Sequence, residues 1–175
     1  LSLVGSEMCI RDSVSFGVAP SLIVFSLFKE MDYSGAMESL AGVFPYLAFL
    51  LSVFSALRLA KFNNDTRQTS SFVGLPVPAN ALFWASLVTG AHDWLVSSNF
   101  HPVYLLLLVC LFSWLLVSEI PMFSLKFKNL SWKDNKTSFI FLLVCIPFLI
   151  FLGICSFSAI IVWYILLSLI TRKSK

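Results

Sequence analysis

Charge is what this sequence has least of. Asp, Glu, Lys and Arg make up 12% of its 175 residues, against roughly 25% in an ordinary soluble domain. With 18 Phe and 58% hydrophobic residues, a globule this small cannot cover its apolar surface in water, which points to lipid as the solvent. Cysteine is sparse and scattered: Cys9, Cys110, Cys145 and Cys155 include no C-x-x-C pair. No Cys or His cluster exists, which excludes a zinc site. Three of the four lie in apolar runs and read as packing residues. The polar head has no short apolar core with a small-residue cleavage site, so it lacks a secretory signal pattern. There is no Gly-rich nucleotide loop, no Ser-His-Asp set and no basic–aromatic surface of the kind that binds nucleic acid. Internal repeats and low-complexity linkers are absent too, and one domain is the simplest division.

What the sequence does contain is a series of apolar runs near the length a bilayer requires, about 20 residues each. Six spans are predicted: Val14–Phe28, Leu40–Leu59, Ala79–Val96, Val103–Phe123, Ser138–Leu152 and Ile154–Ile170. The first is short, as if its beginning were missing. The last two share one run, broken at Gly153 into a helical hairpin. The expected fold class is an all-α integral membrane protein, a helical bundle with about six transmembrane helices. Of the twelve Lys and Arg, only Lys29 falls on one side of this topology, and the other eleven fall on the opposite side. The positive-inside rule places the basic side in the cytoplasm. Trp84, Trp94, Trp114 and Trp163 fit lipid contact and interfacial belts. His92 and His101 read as interfacial residues at the outer side.

The stretch Ser55–Ala81 is the most informative. Arg58 and Lys61 are three apart at the basic end of a helix, so they share a face. Two cations there suit an anionic group: a phosphate, a nucleotide or a carboxylate. The same spacing also suits snorkelling to lipid phosphates. In "GLPVPANA" (Gly74–Ala81), two prolines two apart, Pro76 and Pro78, preclude a regular helix running through the pair. They predict an extended approach to the next span, with Pro78 near its first turn. Asn80 either caps that span or faces a polar cavity. Glu119 is an acid near the end of a span, and acids there face a cavity or a partner. Lys126 is the nearest partner in sequence, and Pro121 should kink or end the helix nearby.

Four ordered stretches then carry a resemblance: "VSFGVAP" (Val14–Pro20), "ALRLAKFN" (Ala56–Asn63), "GLPVPANA" (Gly74–Ala81) and "SEIPMFSLKFK" (Ser118–Lys128). Together they resemble the bacterial phosphatidylserine synthases, a branch of the CDP-alcohol phosphatidyltransferase family, from about Val14 to the C-terminus. The resemblance implies transfer of a phosphatidyl group from the membrane lipid CDP-diacylglycerol to L-serine, with release of CMP. It implies a divalent cation, Mg or Mn, held by carboxylates, with the last Asp of the signature deprotonating the alcohol. It implies Arg58, Lys61 and Asn63 as substrate-binding residues and a homodimer in the bacterial inner membrane, its active site facing the cytoplasm.

The signature itself, D-x-x-D-G-x-x-A-R followed by G-x-x-x-D-x-x-x-D, is missing from this chain. Asp12 stands in the register of the last Asp, as catalytic base and metal ligand. Met8 and Val4 occupy the places of the preceding Asp and Gly. The head "LSLVGSEMCIRDS" resembles translated adaptor sequence. The expectation is a non-native head at 1–13, the C-terminal part of a membrane phosphatidyltransferase domain at 14–171 and a basic tail at 172–175. A single carboxylate cannot assemble the metal site, so this chain alone should not catalyse the transfer. The readings left open are another acceptor alcohol or a non-enzymatic membrane transport or assembly protein.

Overall fold

A computed structural model describes residues 10–33, 35–64, 72–97, 100–122 and 136–172. Nearly all of the described chain is helical. Helix α1 runs over Ile10–Glu30, so the last residues of the head continue straight into it, while residues 1–9 lie outside the described residues. Its "VSFGV" stretch, Val14–Val18, is a π-helical turn. Pro20 follows one residue later, and a proline has no N–H for the i−4 bond and crowds that carbonyl. A widened turn just before it relieves both problems. Ser21 Oγ donates back to the Gly17 carbonyl at 2.7 Å, which occupies an acceptor in the same turn.

A 3-10 turn (Gly35–Leu40) leads to the short α2 (Phe44–Leu47) and then α3 (Leu50–Asn64). The span expected at Leu40–Leu59 therefore begins later and runs on to Asn64. Helix α4 covers Val77–Val96, α5 Pro102–Val117, α6 Lys136–Leu152 and α7 Ser156–Arg172. The break expected at Gly153 is present. Gly153 has φ +54° and opens a 3-10 turn over Gly153–Cys155 between α6 and α7, a backbone geometry that glycine adopts at little cost. The fourth span is shorter than expected. Helix α5 stops at Val117, and the chain is extended before Pro121, since the residue preceding a proline disfavours helix.

Three helical stretches are long and apolar enough to cross a membrane: Ile10–Glu30, Phe44–Phe62 and the bent Ser138–Thr171. On the last, Ile150 is 72% and Phe151 82% exposed. Large apolar side chains this open belong in lipid, not water. The chain is an all-α membrane protein.

At two of the helix crossings the closest contacts are made by small residues. Gly17 of α1 lies over Ser52 and Ser55 of α3, and a Cβ on it would sit 3.2 Å from Ser55 Cβ. Ser86 and Gly90 lie one turn apart on α4 and meet the α6–α7 turn and α7. Ser158 Oγ donates to the Phe83 carbonyl at 2.9 Å and lies 2.5 Å from Ser86 Oγ. A Cβ on Gly90 would fall 2.5 Å from Cys155 Sγ and 2.9 Å from its backbone nitrogen. In lipid, where burial against water no longer drives association, such close approach and interhelical hydrogen bonds hold helices together. Gly90→Ala should therefore cost about 1–3 kcal/mol, because a backbone atom cannot rotate away. A lowered melting temperature in detergent checks this, with Gly42→Ala as control, since a Cβ there meets nothing within 4 Å.

Trp84 corrects the sequence reading of the tryptophans. It is fully buried, whereas Trp94 and Trp114 are exposed as expected. Its indole N–H donates to Asn80 Oδ1 at 3.2 Å, one turn earlier. That bond removes the cost of burying the ring's polar edge. Asn80 thus neither caps the helix nor opens onto solvent.

Candidate functional site

Successive long helices alternate in direction, which gathers the two chain-distant loops Phe72–Pro76 and Ser118–Met122 at the end of the bundle that carries Arg58 and Lys61. The loops pair as two short antiparallel strands, β1 (Phe72–Val73) and β2 (Pro121–Met122), with Phe72 opposite Met122 and Val73 opposite Pro121. Gly74 N–H donates to the Ile120 carbonyl at 2.9 Å, and Leu75 N–H to the Leu115 carbonyl at 3.1 Å. Gly74 has φ +75° and is pressed against the carbonyls that end α5. Beyond it, Pro76 is extended (φ −60°, ψ 135°) and α4 starts at Val77 with a proline in its first turn, as the spacing of Pro76 and Pro78 predicts.

Arg58 and Lys61 share a face of α3 but have opposite fates. Arg58 is buried, and its Nη2 donates to the Gly74 carbonyl at 3.2 Å. It fastens α3 to the loop. Tyr164 of α7 lies close to it. Lys61, a turn further out, is exposed, and its Nζ lies 3.0 Å from Glu119 Oε1. Glu119 sits on the extended Ser118–Ile120 segment and is 77% exposed. From sequence, Glu119 faces a cavity or a partner, or pairs at the interface with Lys126. Lys126 lies outside the described residues, and the cation found beside Glu119 is one 58 positions away. Asn63 falls in the last turn of α3, and its side chain lies outside the described residues.

Asp12 is half-buried in the first turns of α1. Because α1 and α3 run antiparallel and meet at Gly17 and Ser55, Asp12 lies at the same end of the bundle as Arg58 and Lys61. Five residues of helix separate Asp12 from Gly17, about 7 Å along the axis. Just beyond Asp12, a groove of about 490 Å³ opens between α1 and α4, lined by Ser15, Ala19, Pro20, Pro78, Ala81 and Leu82 among others. Its walls are almost wholly apolar.

Among the described residues no three His, Cys, Asp or Glu side chains cluster as metal ligands would. A hard divalent cation needs several oxygen donors, and Asp12 offers one carboxylate. The described residues therefore do not fit an Mg or Mn site by themselves.

At the other end the bundle is closed differently. Tyr33 Oη donates to the Phe28 carbonyl at 2.8 Å, and its ring meets Phe44 edge-on at 6.0 Å. Burial pushes the Tyr33 hydroxyl up to about 12, so it remains a donor at neutral pH. His92 Nε2 lies 2.8 Å from Glu30 Oε2, and His101 Nδ1 accepts from Val103 N–H at the start of α5. Both histidines are exposed, in keeping with their interfacial reading.

Curated relatives identify the family to which this architecture belongs. A CDP-diacylglycerol–serine O-phosphatidyltransferase of Helicobacter pylori (strain J99) is 30% identical over 179 aligned residues, covering 95% of this chain and 70% of that protein. This chain belongs to the CDP-diacylglycerol–serine O-phosphatidyltransferase family. A second member, from Bacillus subtilis (strain 168), is 31% identical over 121 residues, 69% of this chain and 59% of that protein. A third, from Methanocaldococcus jannaschii, is 34% identical over 95 residues, 54% of this chain and 41% of that protein. The chain thus spans between about two fifths and seven tenths of the length of these phosphatidyltransferases. No family model matches the chain, and no solved structure matches it.

The family resemblance in the sequence rested on four short stretches, and three of them touch in space. "ALRLAKFN" supplies the Arg58 strut and Lys61, "GLPVPANA" the Gly74 acceptor, and "SEIPMFSLKFK" the Glu119 partner. "VSFGVAP" forms the π-turn that seats α1 on α3. Gly74 and Glu119 were the functional positions that spacing alone did not connect. The signal was a proline in each loop, Pro76 and Pro121, with Gly74 beside the first, which marks a break in the helix but not its partner.

Proposed function

We propose that residues 14–171 are the membrane part of an enzyme that transfers the phosphatidyl group of CDP-diacylglycerol to L-serine and releases CMP. The observation that carries this reading is the 30% identity to the Helicobacter phosphatidyltransferase across 95% of the chain. The geometry supports it in two ways. An amphiphilic lipid substrate needs an apolar groove next to a polar, charged rim, and the groove between α1 and α4 opens beside Asp12 at the end where Arg58 and Lys61 lie. An anionic headgroup or carboxylate needs an accessible cation on a rigid support. Lys61 provides the cation, and the Arg58–Gly74 bond holds the helix turn beneath it.

In this reading Lys61 attracts and orients the anionic part of a substrate at the membrane boundary. Arg58 fixes the position of Lys61 and adds buried positive charge behind it. Asp12 lies at this same end, in the register of the signature's last Asp but outside residues 14–171, and is assigned no proton transfer in this chain. The basic end faces the cytoplasm of a bacterial inner membrane, following the charge distribution. Because Asp12 is a single carboxylate and the signature aspartates are missing from the sequence, no step through a divalent cation is assigned to these residues.

The test is binding by the chain in lipid nanodiscs. CDP-diacylglycerol and L-serine should both bind, and Lys61→Ala should weaken serine binding by about tenfold, the scale of a lost charge-assisted hydrogen bond. Failure of both substrates to bind would overturn the assignment. Serine-dependent CMP release by this chain alone should be absent even with Mn²⁺.

A further inference from the structure

The Lys61–Glu119 pair is poorly explained as a stabilising contact. Its partners are 41% and 77% exposed, and exposed pairs of this kind add little to stability. Yet both ends are held on rigid supports. Lys61 stands one turn from Arg58, which is tied to the Gly74 carbonyl. Glu119 lies on a segment pinned on both sides. Ser118 N–H donates to the Trp114 carbonyl at 2.9 Å and Ser118 Oγ to the Leu115 carbonyl at 2.9 Å, while the Ile120 carbonyl accepts from Gly74 N–H. The result is one positive and one negative group, fixed relative to each other and open to solvent at the basic end of the bundle.

We propose that Glu119 and Lys61 together form a recognition site for a small zwitterionic acceptor, in which Glu119 takes the ammonium and Lys61 the carboxylate. Such a ligand exchanges one solvent-exposed ion pair for two charge-assisted contacts, and the acceptor's hydroxyl remains outside both. The same carboxylate discriminates by repulsion: an alcohol bearing a phosphate and no ammonium would bring a second negative charge against Glu119. The pair thus makes Glu119 a specificity-determining residue for amino-acid acceptors. This deepens the proposed serine reading and rests on it.

The experiment compares L-serine with 3-hydroxypropionate, which keeps the hydroxyl and carboxylate but lacks the ammonium, as ligands of the chain in nanodiscs. The wild-type chain should prefer serine by about tenfold or more, because only serine pairs Glu119. Glu119→Gln should lower serine affinity while leaving 3-hydroxypropionate equal or tighter, so that the preference collapses. Glu119→Asp should restore part of it. A melting curve unchanged in Glu119→Gln separates recognition from folding. If the wild-type chain binds serine but Glu119→Gln weakens both ligands alike, or neither, the Glu119 assignment fails while the serine reading stands. If the wild-type chain binds no serine, both fall.

Discussion

Gly74→Ala should be the most disruptive single-atom change at the functional end of the molecule. Three effects add. A residue with a Cβ in the left-handed conformation that Gly74 holds (φ +75°) costs about 1–2 kcal/mol. The new carbon would sit 2.8 Å from the Ser118 carbonyl oxygen and 2.9 Å from that of Leu116. Both are backbone atoms at the end of α5, so relief requires the loop to move and not merely a side chain to turn. Overpacking of this kind costs roughly 1–3 kcal/mol more. Moving the loop also stretches the bonds that Gly74 makes through both its N–H and its carbonyl, to Ile120 and Arg58. The expected result is a loss of about 3 kcal/mol of stability in detergent, together with weakened serine binding as Lys61 and Glu119 separate. Full binding and an unshifted melting curve in Gly74→Ala would show that this loop crossing does not organise the site.

Trp84→Ala should be the most damaging substitution in the packed interior, at about 3–5 kcal/mol. Trp84 is fully buried, meets Phe83 edge-on at 5.3 Å and Phe112 at 5.7 Å, and ties α4 to α5. Lipid cannot fill the cavity without opening the helices, so the lost dispersion contacts are not recovered. Trp84→Phe tests the polar part separately. It removes the indole N–H from Asn80 Oδ1, and Asn80 Nδ2 is already buried without a hydrogen-bond partner. The phenylalanine variant should therefore lose about 1–3 kcal/mol, the cost of an unsatisfied buried polar group. Adding Asn80→Leu should recover part of it. Equal stability of Trp84→Phe and the wild-type chain would remove any energetic role from the Asn80–Trp84 bond. Non-additivity in the double variant measures that bond directly.

Much of the fold was legible because apolar run length is set by the bilayer and punctuated by residues with their own backbone rules. Gly153 and the Pro76–Pro78 pair broke the chain where their geometry requires. The overshoot at α5 came from reading apolar Ile120 and Met122 as helix, although Pro121 already disfavoured helix before it. At the candidate site, the three-residue spacing of Arg58 and Lys61 put both on one face, and the structure keeps them there. The spacing carried no information on which would turn inward. That depends on Gly74 offering a carbonyl to Arg58, from a loop sixteen positions away. Glu119 reads from sequence as an acid facing a cavity or a partner, and the partner the structure brings to it, Lys61, comes from a different helix. Trp84 was read as a membrane-belt residue because composition cannot see Phe112 on the facing helix. The pairing of Ser86 and Gly90 with Ser158 and Cys155 went unread, although two small residues four apart on an apolar helix were a visible sign of close packing.

By itself the sequence determined the solvent and the helical character of the apolar runs. These follow from local quantities: transfer of apolar side chains, rise per residue, and the backbone limits of glycine and proline. Only the tertiary structure decided that Arg58 is a strut and Lys61 an open cation, that Glu119 faces Lys61, and that Trp84 is core. Each of those depends on which surfaces of different helices can approach closely. That is governed by small residues at the crossings and by hydrogen bonds between segments far apart in the chain, which no local pattern encodes.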